Sequence, residues 1–122
     1  MDQYKDEAKA KWGSTKAYQE CEDKTAHYTQ EQWAQIHREM DAIMLTVAAY
    51  SRQGLAPESL PVQESVSRWQ QFLTKYYYDC TREILSALGR MYAADPQFQA
   101  NINRYGAGTA ELLSAGIEYY CK

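Results

Sequence analysis

From Met1 to Gln35 this 122-residue chain contains no Leu, Ile, Val or Phe. Helices in proteins are stabilised mainly by burying an apolar face, and branched aliphatics supply most of that filling, so the front of the chain is expected to be weakly held by itself. Cysteine is scarce as well. Cys21, Cys80 and Cys121 are widely spaced with no CxxC pair, which argues against a disulfide framework and a tetrahedral zinc site and leaves reduced thiols as the expectation. His27 and His37 could join Cys21 on paper, but the spacing matches no metal-binding signature, and neither a metal nor a cofactor is expected. The 13 Lys and Arg are scattered against 16 Asp and Glu, for a net charge of -3, so the basic stripe that a phosphate backbone requires is missing and this chain alone should not hold nucleic acid. No run approaches the ~18 consecutive apolar residues of a membrane span, and the opening Met1-Asp2-Gln3-Tyr4-Lys5 is no secretory signal, so a cytoplasmic protein is expected. A Gly-rich phosphate loop, a nucleophile elbow and an HExxH are all missing, which predicts no turnover. The acidic clusters Asp2, Asp6, Glu7 and Glu20, Glu22, Asp23 read as solvated helix faces.

What the front does contain is aromatic: Tyr4, Trp12, Tyr18, Tyr28 and Trp33 all precede Ile36. A weakly held aromatic segment suits a lid over a ligand. From Ile36 onward Ile, Leu, Val, Met and Phe recur at helical spacing as far as Ile117, enough for a conventional packed body. The reading is one domain over residues 1–122, with residues 1–35 as lid helices and residues 36–122 as a helical body; a chain of this size buries roughly two-thirds of the surface its unfolded form exposes, which leaves little room for a second core.

No segment alternates apolar and polar residues over strand length, while several repeat at three and four, so the fold is predicted to be all-α. The first helix is expected from about Asp2 to Lys11, stopped by Gly13, and a second is expected to be capped by Ser14 or Thr15, with Tyr18, Cys21, Thr25 and Tyr28 on one face. Thr29 and Gln32 make a capping box for a third, whose stripe of Trp33, Ile36, His37, Met40, Ile43, Met44 and Val47 ends near Gln53-Gly54. Pro57, Ser59 and Pro61 mark a loop and the start of a fourth helix bearing Val62, Val66, Trp69, Leu73 and Tyr76. Asp79 is the predicted N-cap of a helix carrying Ile84, Leu85, Leu88, Met91 and Tyr92, which would put Cys80 in its first turn. Asp95-Pro96 opens a short helix with Phe98 and Ile102, and Gly106 and Gly108 separate it from a last one with Ala110, Leu113, Ile117 and Tyr120.

Trp33, Trp69, Tyr92 and Phe98 lie on stripes that most simply build the core. Trp12, Tyr18, Tyr28 and the run Tyr76-Tyr77-Tyr78 differ, because three consecutive tyrosines cannot all face one core at 100 degrees per residue, and at least one should face a cleft or solvent. Tyrosine and tryptophan offer broad apolar faces with a polar tip and suit a flat amphipathic ligand. Met40, Met44 and Met91 supply either adaptable pocket filling or ordinary core. For Cys80 two readings stand side by side. A first-turn thiol near the positive end of a helix dipole favours the reactive thiolate, whereas the adjacent Asp79 disfavours the anion and a free cysteine is commonly a small buried hydrophobe.

Lys11-Trp12-Gly13-Ser14-Thr15-Lys16-Ala17-Tyr18, the Thr29-to-Trp33 helix start, Arg68-Trp69, Tyr78-Asp79-Cys80, Leu88-Gly89-Arg90-Met91-Tyr92 with Asp95-Pro96-Gln97-Phe98, and Gly108 through Ile117 occur in an order and spacing that resembles the TipAS-type antibiotic-recognition domain of MerR-like drug-sensing regulators. The resemblance covers nearly the whole chain. It implies a globin-like helical bundle without haem whose early helices fold over bulky macrocyclic antibiotics such as thiopeptides, with Trp12, Tyr18, Tyr28, Trp33, Met40, Met44, Trp69, Tyr76, Tyr77, Cys80, Met91 and Tyr92 as candidate ligand-binding residues. It also implies Cys80 as the place of covalent capture of dehydroalanine-bearing thiopeptides, and a MerR-type DNA-binding partner domain in a longer form; a stand-alone drug-sequestering binder, or a helical interaction module that forms a homodimer, is the alternative. Asp79 stands where the family commonly has proline, Gln97 where it has arginine and Asn103 where it has aspartate.

Overall fold

A computed structural model describes residues 16–122, with side-chain surroundings from Gln19 onward. The expected helix over Asp2 to Lys11 and the candidate Trp12 lie outside the described residues, as does the side chain of Tyr18. Among the described residues there are six helices and no strand: α1 (Lys16–Thr25), α2 (Gln30–Arg52), α3 (Leu60–Tyr76), α4 (Arg82–Ala94), α5 (Pro96–Asn103) and α6 (Thr109–Tyr120). They form the expected all-α, globin-like bundle.

The helix boundaries follow from local capping chemistry. The Thr29 hydroxyl accepts from the Gln32 N–H at 3.1 Å, and the Gln32 side chain accepts from the Thr29 N–H at 2.8 Å, which satisfies two donors that the first turn of α2 would otherwise leave unpaired. That box needs extended backbone at Thr29, so α1 ends at Thr25 and Tyr28 stands in the turn between helices, not on the face of α1 as its spacing suggested. Asp95 accepts from the N–H groups of Gln97 and Phe98, with Pro96 at the first helical position of α5. Gly108 takes a φ of 84° before α6 and has no side chain to cap it; the Asn103 Oδ1, reaching from α5, accepts from the Ala110 N–H at 2.8 Å instead.

One expected boundary is wrong. The N-cap of α4 is Thr81, whose hydroxyl accepts from the Ile84 N–H, and Cys80 precedes the helix. The cause is tertiary: the Cys80 N–H donates to the Thr74 hydroxyl and the Cys80 carbonyl accepts from the Gln70 side chain, so residue 80 is pinned to α3 in a conformation that cannot join the first turn. The helix-dipole argument for a reactive Cys80 thiolate loses its premise.

α6 is the centre of the bundle, touching α2, α3, α4 and α5. Its Ala110, Leu113 and Ile117 are fully buried at spacings of three and four. Gly89 permits the close approach of α4, since a Cβ there would stand 2.7 Å from Ile117 Cγ2. α2 crosses α3 through Ile36, Ile43, Met44 and Val47 on one side and Val62, Val66 and Trp69 on the other, all buried. α1 meets the bundle at α3.

Candidate functional site

α1, the turn after it, the first half of α2 and the C-terminal end of α3 converge on a chain of aromatic rings. Tyr28 meets Trp33 edge-on with centroids 5.2 Å apart, and Trp33 lies 6.3 Å from Tyr77 and 6.0 Å from His37. Tyr28 also approaches Tyr76, and both Tyr76 and Tyr77 rest against Phe72, which stacks on Trp69 at 5.3 Å. The indole N–H of Trp69 donates to the Tyr92 hydroxyl, and Tyr92 continues the chain to Phe98. The rings thus run from a half-buried outer face of Tyr28, Trp33, Tyr76 and Tyr77 to a buried inner set of Phe72, Trp69, Tyr92 and Phe98. Edge-to-face pairs at these separations add to the apolar area they bury.

The three tyrosines separate as their spacing requires. Helix α3 ends at Tyr76, Tyr77 caps it, and Tyr78 turns inward to 8% exposure, its N–H bonded to the Leu73 carbonyl. Burial pushes the phenols of Tyr77 and Tyr78 above their ordinary pKa, with neighbouring Cys21 adding to both shifts. Tyr28 shifts the same way, chiefly from desolvation. All three present neutral rings with hydroxyl tips.

Polar groups frame the outer face. The Tyr76 hydroxyl donates to the Glu39 carboxylate, and this bond is the main reason the Glu39 pKa lies below the ordinary carboxylate value. Lys75 stands 4.0 Å from the other Glu39 oxygen and 4.9 Å over the Tyr76 ring. Beside them a shallow open groove between α2 and α3 is lined by Glu39, Ala42, Ile43, Arg68, Gln71, Phe72 and Lys75.

Four of the sequence candidates, Tyr28, Trp33, Tyr76 and Tyr77, therefore come together on one face. Met44, Trp69 and Tyr92 are buried in the core, and Met40 and Met91 pack half-buried against it. His37 and Glu39 border the face and the buried Phe72 backs it, and none of the three was among the candidates. Phe72 could have been found from its place three residues after Trp69 and four before Tyr76; Glu39 has no such signal, because its partner is 37 residues away. Among the described residues no three His, Cys, Asp or Glu gather to hold a metal, and no helix is long and apolar enough to cross a membrane.

A family model described as the TipAS antibiotic-recognition domain matches residues 4–120. The chain belongs to that family. This TipAS-family chain is 35% identical over 118 residues to the HTH-type transcriptional activator mta of Bacillus subtilis, a match covering 97% of this chain and 45% of that protein. It is 33% identical over 116 residues to the HTH-type transcriptional activator TipA of Streptomyces coelicolor, covering 95% of this chain and 46% of that one. It spans less than half the length of either relative. The fold matches the solved structure of TipAS from Streptomyces lividans in complex with the thiopeptide nosiheptide at a TM-score of 0.88 and 32% identity, covering 98% of this chain and 84% of that one.

Within the TipAS domain as folded here, Cys80 is 3% exposed. Burial, then the nearby Cys121 and Asp79, push its thiol up to about 12. Cys21 and Cys121 are half-buried, and the Cys121 thiol faces the Arg82 carbonyl. At neutral pH the Cys80 thiolate is scarce in this conformation, and a nucleophilic thiol must first open to solvent.

Proposed function

We propose that this domain binds a bulky, flat macrocyclic antibiotic of the thiopeptide class on the outer aromatic face, with α1 and the residues before it acting as the cover. The observation that carries the reading is the convergence of Tyr28, Trp33, Tyr76 and Tyr77, all half-buried, where α1 meets the body. Stacked heterocycles of such a ligand match the ring faces of tyrosine and tryptophan. Capture at Cys80 belongs to the open state, before the cover closes: conjugate addition breaks the thiol S–H bond and the π bond of a dehydroalanine, forms one bond from sulfur to its β-carbon and leaves the thiol's proton on its α-carbon, and it proceeds only while the thiol is released from burial.

In a longer protein the domain is the effector-binding part of a MerR-type activator working in the cytoplasm, and the DNA-binding half is the reader of ligand occupancy. The similarity to mta and TipA along nearly all of this chain supports that assignment. Titrating the chain with nosiheptide is the test. Binding raises the melting temperature by mass action and slows amide exchange over residues 16–35. No stabilisation at saturating nosiheptide, together with a ligand-independent dimer by light scattering, overturns the reading in favour of an interaction module.

A further inference from the structure

Three polar contacts from α1 and the turn after it fall on one short stretch of chain. The Lys24 ammonium donates to the Thr74 carbonyl at 2.7 Å, the Tyr28 hydroxyl to the Tyr76 carbonyl at 2.6 Å, and Glu20 accepts from the Asp79 N–H at 3.2 Å. These are the C-terminal end of α3 and the turn that leaves it. The carbonyls of a last helical turn have no partner within the helix, so Lys24 and Tyr28 act from outside as its cap.

Thr74 has a second connection. While its carbonyl receives Lys24, its hydroxyl accepts from the Cys80 N–H at 3.1 Å. The Cys80 carbonyl in turn accepts from Gln70 at 2.9 Å, and the other end of the Gln70 amide accepts from the Tyr120 hydroxyl at 3.0 Å. A continuous path therefore leads from α1 through Thr74 to the backbone of Cys80 and on to α6. Both backbone polar groups of Cys80 are committed along it, and they keep residue 80 out of α4 with its thiol inside.

We infer that Thr74 is a positioning residue that couples the docking of α1 to the burial of Cys80, so that release of α1 loosens the turn at residues 77–80 and exposes the thiol. The coupling concerns the bare protein. Its consequence for antibiotic capture rests on the function proposed above, but the coupling itself is measurable without any antibiotic.

The experiment is alkylation of the full chain with iodoacetamide, followed cysteine by cysteine by peptide mass spectrometry, with Cys121 as internal reference. Lys24→Met removes the ammonium from an exposed position that cannot unfold the body. Thr74→Val removes the hydroxyl and leaves the carbonyl, and Thr74→Ser restores the hydroxyl. The expected result is a rise in Cys80 modification of roughly two- to tenfold in Lys24→Met and in Thr74→Val, the range that loss of one hydrogen bond gives to a local opening equilibrium. Thr74→Ser returns the rate to the original value, and Cys121 is unaffected throughout. The inference is overturned if Lys24→Met speeds amide exchange in α1 while Cys80 reacts at its original rate, or if Cys80 and Cys121 accelerate by the same factor. A nosiheptide titration that fails while the alkylation pattern holds would remove the antibiotic reading and leave the coupling standing.

Discussion

The hydroxyl of Tyr28 donates to the backbone carbonyl of Tyr76 at 2.6 Å, and the two rings meet edge-on with centroids 6.5 Å apart. One side chain thus joins the turn after α1 to the last residue of α3 by both its polar tip and its ring. Tyr28→Phe keeps the ring and leaves the Tyr76 carbonyl without this partner. A half-buried bond of this kind contributes about 1 kcal/mol, so the loss should appear as faster amide exchange confined to α1, with little change in the global melting temperature. Equal acceleration in α6 would contradict a local role.

Alkaline pH should weaken the fold. The Cys80 thiol moves from an ordinary 9.0 to about 12, and the phenols of Tyr77 and Tyr78 move up from 10.0, in each case first because burial penalises the charged form. A raised pKa means that the folded state keeps protons that the unfolded state has already lost. The contribution is therefore fully present below pH 9.0 and declines as pH rises from there towards 12. Urea midpoints that fall through this range, with the tyrosinate absorbance of Tyr77 and Tyr78 appearing only as the protein unfolds, are the expected result. Tyrosinate absorbance from Tyr77 and Tyr78 at full structure near pH 10.0 would be the contrary one.

Gly89 lets α4 close on α6 at Ile117. A methyl group at that position would lie 2.7 Å from Cγ2 and 3.1 Å from Cβ of Ile117, a branched, fully buried side chain with no room to swing aside. Gly89→Ala gains helix propensity, but overpacking of this kind costs about 1–3 kcal/mol and should win, lowering the denaturation midpoint. A more stable Gly89→Ala variant would show that α4 and α6 are not in close contact.

Asn103 serves two partners, of which an aspartate could serve only one. Its carbonyl oxygen accepts from the Ala110 N–H and its amide nitrogen donates to Glu111 at 3.2 Å. Asn103→Ala should lose about 1 kcal/mol through the missing cap on α6. Asn103→Asp keeps the acceptor and sets a second carboxylate against Glu111, so its stability at neutral pH should lie between the alanine variant and the original and should rise with added salt as the repulsion is screened. Calorimetry of the three chains with and without salt decides it.

Local chemistry alone accounts for much of this protein. The capping box at Thr29 and Gln32, the stop at Gly54, the Asp95-Pro96 start and the glycines before α6 each act within one turn of chain, and each is legible from neighbours in the sequence. The buried stripes Ile36, Ile43, Val47 and Ala110, Leu113, Ile117 follow from the helical period in the same way. Only the tertiary structure decided which of Asp79 and Thr81 caps α4, which tyrosine of the run at 76–78 turns inward, and which groups Tyr28, Glu39 and Lys24 meet. Two residues two positions apart with equal capping ability cannot be ranked locally; the choice was made by Thr74 and Gln70, which hold Cys80 from another helix. The partners of Tyr28, Lys24 and Glu39 lie 48, 50 and 37 residues away, and separations of that length are closed by packing of the whole bundle, which no short pattern encodes.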